Sequence, residues 1–312
     1  MENKKKAVVL GGQTASGKSA LSLNLCDMFD GEIISADSMQ VYRGMDIGTA
    51  KPEKEDLSRV RHHLIDILDI HQKFSSADFV SLATMALEDI TSRNKIPFVT
   101  GGTGLYAEML FNSFSLVENT SDESIRQSLW ERVKTEGNEK LYELLNSIDP
   151  ETAQKVHPNN TKRLVRYLEI FYATGLTPTE INIQNNSGDR RFEPLYICLY
   201  SDDREYIYSR INARVDEMFE KGLVDEVYSL YQKGLEHTPT ASAAIGYKEL
   251  FPYFKGEITL TQAKENIKQN SRNYAKRQQT YFKRIKGVIF VDITSENYPN
   301  RVSDLIKEFV EN

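Results

Sequence analysis

The sequence predicts an α/β protein, a P-loop-type parallel sheet flanked by helices, with an all-helical insertion domain. Three observations predict it. The apolar run Ala7-Val8-Val9-Leu10-Gly11 leads directly into Gly12-Gln13-Thr14-Ala15-Ser16-Gly17-Lys18-Ser19, which fits G-x-x-x-x-G-K-[ST], and helix formers follow from Ala20 to Leu25. Four later apolar runs have strand character and are separated by helical periodicity, the pattern of a parallel sheet. From about 120 to 187 the strand-like runs stop and only helical spacing remains. The expected core is therefore 1–119 plus 190–312, and the insertion 120–189.

The glycine-rich stretch comes first. Glycines let successive backbone N–H groups turn inward, and the helix that follows offers its positive end to an anion. Lys18 adds a point charge and the Ser19 hydroxyl suits Mg²⁺, so Gly12 to Ser19 is a candidate di- or triphosphate site, as in nucleotide-binding proteins. Glu32-Ile33-Ile34-Ser35 reads as the second strand. It ends in Ala36-Asp37-Ser38-Met39-Gln40, where Asp37 either faces the phosphate or is the N-cap of a helix at a strand-to-helix turn. Residues 45–75 read as loop-rich with one charged helix, and His62-His63 point apart too far for joint metal ligation. Ser76 to Arg93 has core spacing on one helical face. Ile96-Pro97-Phe98-Val99-Thr100 is the third strand, running into Gly101-Gly102-Thr103, where Thr103 is either ligand-facing or a cap. This strand lacks the terminal aspartate of a Walker B ATPase, which weakens a hydrolase reading.

In the insertion, a helix from Ser121-Asp122 stops at Gly137, a second stops at Asp149-Pro150, and a third runs from Asn160 to a C-cap at Gly175. The polar run 182–191 reads as a linker. Lys162, Arg163 and Arg166 share one helical side, which is either solvated or a nucleic-acid contact. The core resumes at Leu195–Tyr200, followed by a helix carrying Arg204, Arg210 and Arg214, one of which could neutralise a leaving phosphate. Residues 262–287 hold eight Lys/Arg and one Glu. On a helix over about 261–286, Lys264, Lys268, Arg272, Lys276, Lys283 and Lys286 fall within about 120° of arc, while Ala263, Ile267, Tyr274, Tyr281 and Ile285 group within about 40°. One face should pack on the protein and the adjacent one present cations to a phosphate backbone. Val288–Asp292 is the last strand.

The whole-chain balance is ordinary: 312 residues, 40% hydrophobic, 27% charged, net charge -6. It argues against indiscriminate nucleic-acid binding. No apolar run approaches the ~20 residues of a membrane span. Two distant cysteines, Cys26 and Cys198, exclude a disulfide framework or a cysteine zinc module. A cytoplasmic location is expected.

In order, these blocks resemble bacterial tRNA dimethylallyltransferases (the isopentenyl-tRNA transferase family). The resemblance runs through the P-loop, Ile34–Ser38, Arg43-Gly44-Met45-Asp46-Ile47-Gly48-Thr49-Ala50-Lys51-Pro52, His62–Asp66 and Gly101–Tyr106. It continues in His157-Pro158-Asn159-Asn160 with Arg163 and Arg166, Ile245–Glu249, and Tyr274-Ala275-Lys276-Arg277-Gln278. It implies a transferase that moves a dimethylallyl group from dimethylallyl diphosphate to N6 of the adenosine 3′ to the anticodon, with Mg²⁺ as cofactor and a tRNA anticodon stem-loop as partner, acting as a monomer. Gly12, Gln13, Thr14, Ala15, Ser16, Gly17, Lys18 and Ser19 would hold diphosphate, and Ser19 the Mg²⁺. Asp37 would be the base, with Thr103 and Lys18 beside it. Implied tRNA contacts are Asp37, Ser38, Met39, Gln40, Thr103, Arg126, Lys162, Arg163, Leu164, Val165, Arg166, Gly246, Arg272, Lys276, Arg277 and Gln278. Gln13 stands where the family usually has proline and Tyr281 where it has tryptophan, and Ala243 is often polar in relatives. Competing readings are a small-molecule P-loop kinase, an RNA-binding protein with a regulatory nucleotide site, and an isopentenyltransferase of free adenine nucleotides.

Overall fold

The computed structural model describes residues 4–111, 122–186 and 191–311. The expected junctions at 119/120 and 189/190 lie outside those residues, as does Ser121. The chain runs β1 (Lys5–Gly12), α1 (Lys18–Phe29), β2 (Gly31–Ser35), α2 (Lys54–Arg59), β3 (His62–His63), α3 (Ser76–Ser92), β4 (Ile96–Gly101) and α4 (Gly104–Phe111). Then come α5 (Glu123–Ile148), α6 (Pro150–Gln154), α7 (Thr161–Thr174) and α8 (Pro178–Asn186). The remainder is β5 (Phe192–Tyr200), α9 (Arg204–Glu220), α10 (Leu223–Gln232), α11 (Phe251–Phe254), α12 (Leu260–Phe282), β6 (Ile289–Asp292) and α13 (Tyr298–Glu311).

The chain divides into two compact units, 1–110 with 191–312, and 111–190. In the first, the described strands form one sheet in the order β3-β2-β4-β1-β5-β6, and every pair is parallel. Parallel strands all end on one side, so the loops after Gly12, Ser35 and Gly101 converge there. Beneath them Leu21, Leu23, Leu25 and Cys26 of α1 bury against Val8, Leu10, Ile33 and Phe98. The sequence reading named five strands; the sixth is the two-residue β3, paired with Ile33 and Ile34 and too short to show a pattern. Helices α10 and α13 were also not anticipated. The basic helix α12 stops at Phe282, and Lys283 to Lys286 follow it as a turn.

The second unit is helical. Asp122 caps α5 by accepting from the backbone N–H of Ser124 and Ile125. Gly137, at φ 82°, breaks that helix where the sequence placed a stop. Asn160 caps α7, which ends at left-handed Gly175. Leu129, Leu141, Leu145, Leu164, Val165 and Leu168 form its core. The polar stretch from Asn182 is not all linker, because α8 continues to Asn186.

Candidate active site

The P-loop takes the conformation its glycines require. Gly12 has φ 143° and Gly17 φ 88°, and a Cβ on Gly12 would sit 2.2 Å from the Leu199 carbonyl oxygen. Gln13 is buried, and its side-chain oxygen accepts from the Ser201 backbone N–H at 3.2 Å. The glutamine thus ties the loop to the end of β5 by a bond proline cannot make. Helix α1 begins at Gly17 with no side-chain cap and no acidic residue in its first turn, so its N–H groups and positive end are open to an anion. Lys18 Nζ donates to the carbonyls of Gly12 (3.0 Å) and Gln13 (2.6 Å). Burial, then the charge of Arg214, push its ammonium down to about 8.

Two cavities lie at the strand ends. The smaller, about 90 Å³, is lined by Lys18, Ser19, Ser35, Gln40, His62 and Thr100 among others. The larger, about 280 Å³, has an apolar wall of Ile211, Val215, Met218 and Ile267 and a polar rim that includes Ser38, Met39, Gly246 and Arg277. Thr14, Asp37, Thr49, Arg214 and Tyr274 line both. Asp37 therefore stands where the two spaces meet. One of its oxygens, Oδ1, accepts from the backbone N–H of Met39 (2.8 Å) and Gln40 (3.3 Å). No helix begins at Asp37, so it caps none; one oxygen shapes a local turn instead, and the residue lines both cavities. Thr103 is half-buried, and its side chain reaches the Tyr274 phenol, which burial and then the Asp37 carboxylate push up.

Of the three arginines on α9, Arg214 reaches the site, with Nη1 3.5 Å from Thr14 Oγ1. Arg210 donates from Nε to the Ala15 carbonyl at 2.8 Å. Arg214 and Tyr274 were not singled out from sequence, because an arginine among three and a tyrosine in an apolar group carry no distinguishing signal. Glu226 on α10 was missed for the same reason. Its carboxylate accepts from the N–H groups of Asp46 (3.1 Å), Ile47 (2.8 Å) and Gly48 (3.2 Å) and from the Tyr247 hydroxyl (2.6 Å). That clamp fixes the Gly48-Thr49 wall of the larger cavity. Gly246 is held alongside by Glu249, which accepts from its N–H at 2.8 Å.

Several residues expected at an RNA surface are placed otherwise. Leu164 and Val165 are core residues of the helical unit. Arg126 and Arg166 both donate to Glu169, at 3.0 and 3.1 Å, and Glu169 is fully buried. Lys162 and Arg163 are exposed. On α12, Lys264 and Lys268 each pair with Asp216 at 2.7 Å. Arg272 donates to Asn212, Glu265 and Gln269 at 2.8 Å. The cationic stripe read from helical angles thus packs in large part against α9, because spacing cannot reveal an acidic partner on another helix. Lys276 and Arg277 remain exposed, with Lys283, Arg284 and Lys286 in the turn beyond. Gln40 and Gln278 use their amides inside the protein: Gln40 donates to the Thr49 and Ala50 carbonyls, and Gln278 is 4% exposed.

The histidines do point apart. His62 Nδ1 lies 2.7 Å from the Val60 carbonyl oxygen and His63 Nε2 2.8 Å from Glu32. Glu32, His63 and Asp89 come close enough to hold a cation, but Arg93 already bonds both carboxylates.

A P-loop at the end of a parallel sheet, beside a larger, half-apolar cavity with which its own cavity shares Asp37, suits a group-transfer enzyme. The comparisons make the class specific. The family model described as IPP transferase matches residues 40–285, and the chain belongs to that family. It is 44% identical over 302 residues to the tRNA dimethylallyltransferase of Anoxybacillus flavithermus, covering 96% of this chain and 95% of that one. The Bacillus subtilis protein of the same name is 43% identical over 291 residues, with 93% and 92% covered. The solved tRNA isopentenylpyrophosphate transferase of Bacillus halodurans superposes with a TM-score of 0.73 at 40% identity, covering 99% of this chain and 97% of that one. A eukaryotic dimethylallyltransferase solved acting on tRNA superposes with a TM-score of 0.85 at 32% identity, with 99% and 80% covered.

Proposed function

We infer that this protein transfers a dimethylallyl group from dimethylallyl diphosphate to N6 of the adenosine 3′-adjacent to the anticodon in tRNA. The observation that carries the reading is the meeting of the two cavities at Asp37. The small polar space beside the P-loop suits a diphosphate, and the larger space suits an apolar five-carbon chain and a purine. An exocyclic adenine amine is a weak nucleophile, since its lone pair is delocalised into the ring. A carboxylate within reach takes its proton as the bond to the allylic carbon forms, and the position of Asp37 where the two cavities meet supports it as that base. Negative charge builds on the leaving diphosphate, where the P-loop N–H groups, Lys18 and Arg214 stabilise it. A loop base must leave its stack to enter the larger cavity, which costs least in an anticodon loop. Exposed cations available to the RNA backbone include Lys276 and Arg277 on α12 and Lys162 and Arg163 on α7.

Magnesium fits this site. The smaller cavity offers oxygen donors without a thiolate, and Thr100 Oγ1, a residue of its lining, has no hydrogen-bond partner. A hard cation that keeps several waters and binds through phosphates suits that donor set. Ser19 would hold it, and when bound it would neutralise charge on the diphosphate.

Incubation of the protein with Mg²⁺, labelled dimethylallyl diphosphate and anticodon stem-loops should place label in the RNA. Label in free adenine nucleotides instead would redirect the assignment to nucleotide prenylation.

A further inference from the structure

Helix α12 presses a row of side chains into the strand-end loops. A Cβ on Gly11 would lie 2.3 Å from the Phe282 ring, one on Gly104 2.6 Å from Tyr281, and one on Gly102 1.9 Å from Gln278 Nε2. Within this row Gln278 bonds both loops. Its Oε1 accepts from the Thr14 N–H at 2.7 Å, and its Nε2 donates to the Gly102 carbonyl at 3.1 Å. The two partners fix the amide's orientation, since Thr14 offers a donor and Gly102 an acceptor. Thr14 belongs to the loop proposed to hold diphosphate, and Gly102 precedes Thr103, whose backbone N–H donates to the carbonyl of Ala36, the residue before Asp37.

We propose that Gln278 is a positioning residue that clamps the donor-holding loop to the acceptor-holding loop, setting the distance over which the prenyl group is transferred. The proposal rests on the prenyl-transfer reading above and adds the element that aligns its two halves. A neutral amide is the group this place requires. Glutamate cannot donate to Gly102 and would add a negative charge beside the diphosphate; lysine cannot accept from Thr14. The clamp also means that the Thr14 N–H is engaged within the protein and is not one of the loop's donors to diphosphate.

The test is Gln278→Met, which keeps length and removes both bonds. At saturating substrates the single-turnover transfer rate should fall about 10- to 100-fold, while the Kd values for Mg²⁺-diphosphate and for an anticodon stem-loop stay within about threefold of wild type. Backbone hydrogen exchange at Thr14 should quicken in the same variant. Gly102→Ala should displace the amide from the other side, and Gln278→Ala/Gly102→Ala should lose no more than Gln278→Ala alone, because the clash is then gone. A wild-type rate in Gln278→Met, a loss lying wholly in diphosphate affinity, or unchanged Thr14 exchange would overturn the clamp. Wild-type protein that places no label in RNA would refute prenyl transfer itself, and Thr14 exchange then still judges the clamp.

Discussion

Replacing Asp37 by asparagine separates its two roles. Oδ1 accepts from the N–H groups of Met39 and Gln40, and an asparagine carbonyl oxygen can take over both bonds. The turn should therefore survive, and stability should change by less than about 1 kcal/mol, whereas Asp37→Ala loses the turn and should cost about 1 kcal/mol more. What asparagine cannot do is accept the proton of the adenine amine. General-base catalysis contributes roughly 10²–10⁴ in rate, equivalent to about 3–5 kcal/mol in the barrier. Single-turnover transfer of labelled dimethylallyl groups to a stem-loop should fall by that factor in Asp37→Asn, with diphosphate and RNA binding close to wild type. Thermal melts of both variants should rank wild type and Asn together above Ala. A near-normal rate in Asp37→Asn would return Asp37 to a turn-forming role and move the base elsewhere.

The depressed Lys18 ammonium, at about 8, loses its charge as pH rises through that value, so diphosphate affinity should weaken by up to about tenfold between pH 7 and 9. Lys18→Arg should abolish that dependence; a parallel slope in the variant would remove Lys18 as its source. On α12, Lys276→Ala/Arg277→Ala should flatten the salt dependence of stem-loop binding by up to about one log–log unit per lost contact, while Arg272→Ala, already engaged inside the protein, should chiefly lower the melting temperature. An unchanged slope for the double variant would take α12 out of the RNA interface. Glu32, held down to about 2 first by the Arg93 hydrogen bond, contributes stability above the ordinary carboxylate range that is lost as pH falls toward that value. Glu32→Gln should remove about 2–3 kcal/mol near neutrality and flatten the acid limb of the melting profile.

What was legible in the sequence was whatever local chemistry dictates. A glycine pattern between an apolar run and a helix specifies a P-loop because few residues tolerate that backbone. Gly137 and Gly175 marked helix breaks for the same reason. What was not legible depended on partners distant in sequence. Asp216 meets Lys264 and Lys268 across two helices, and buried Glu169 draws in Arg126 and Arg166. Each holds in an intramolecular ion pair cations that helical spacing alone presents as free. Gln278 was implied as a tRNA contact by the family resemblance, yet it is buried, about 100° round the helix from exposed Arg277.

The placement of charge explains how a P-loop can serve group transfer without becoming a hydrolase. Beside β1, strand β4 ends in Thr100 and Gly101, so no carboxylate stands there to orient water against a phosphate. Among the described residues lining either cavity, Asp37 is the one acidic side chain, and it comes from the end of β2. It is thus set at the boundary with the larger cavity. Lys18 lines the smaller cavity and Arg214 lines both, and in the proposed reaction they would offset charge on the leaving diphosphate. In the proposed reaction, proton removal by Asp37 falls where the two cavities meet, and the apolar wall of Ile211, Val215, Met218 and Ile267 belongs to the larger one. A water molecule gains little from that wall, whereas a prenyl chain and a purine bury surface against it. On the proposed reading, selection of amine over water rests on the shape and polarity of the second cavity, with the P-loop left to hold phosphate.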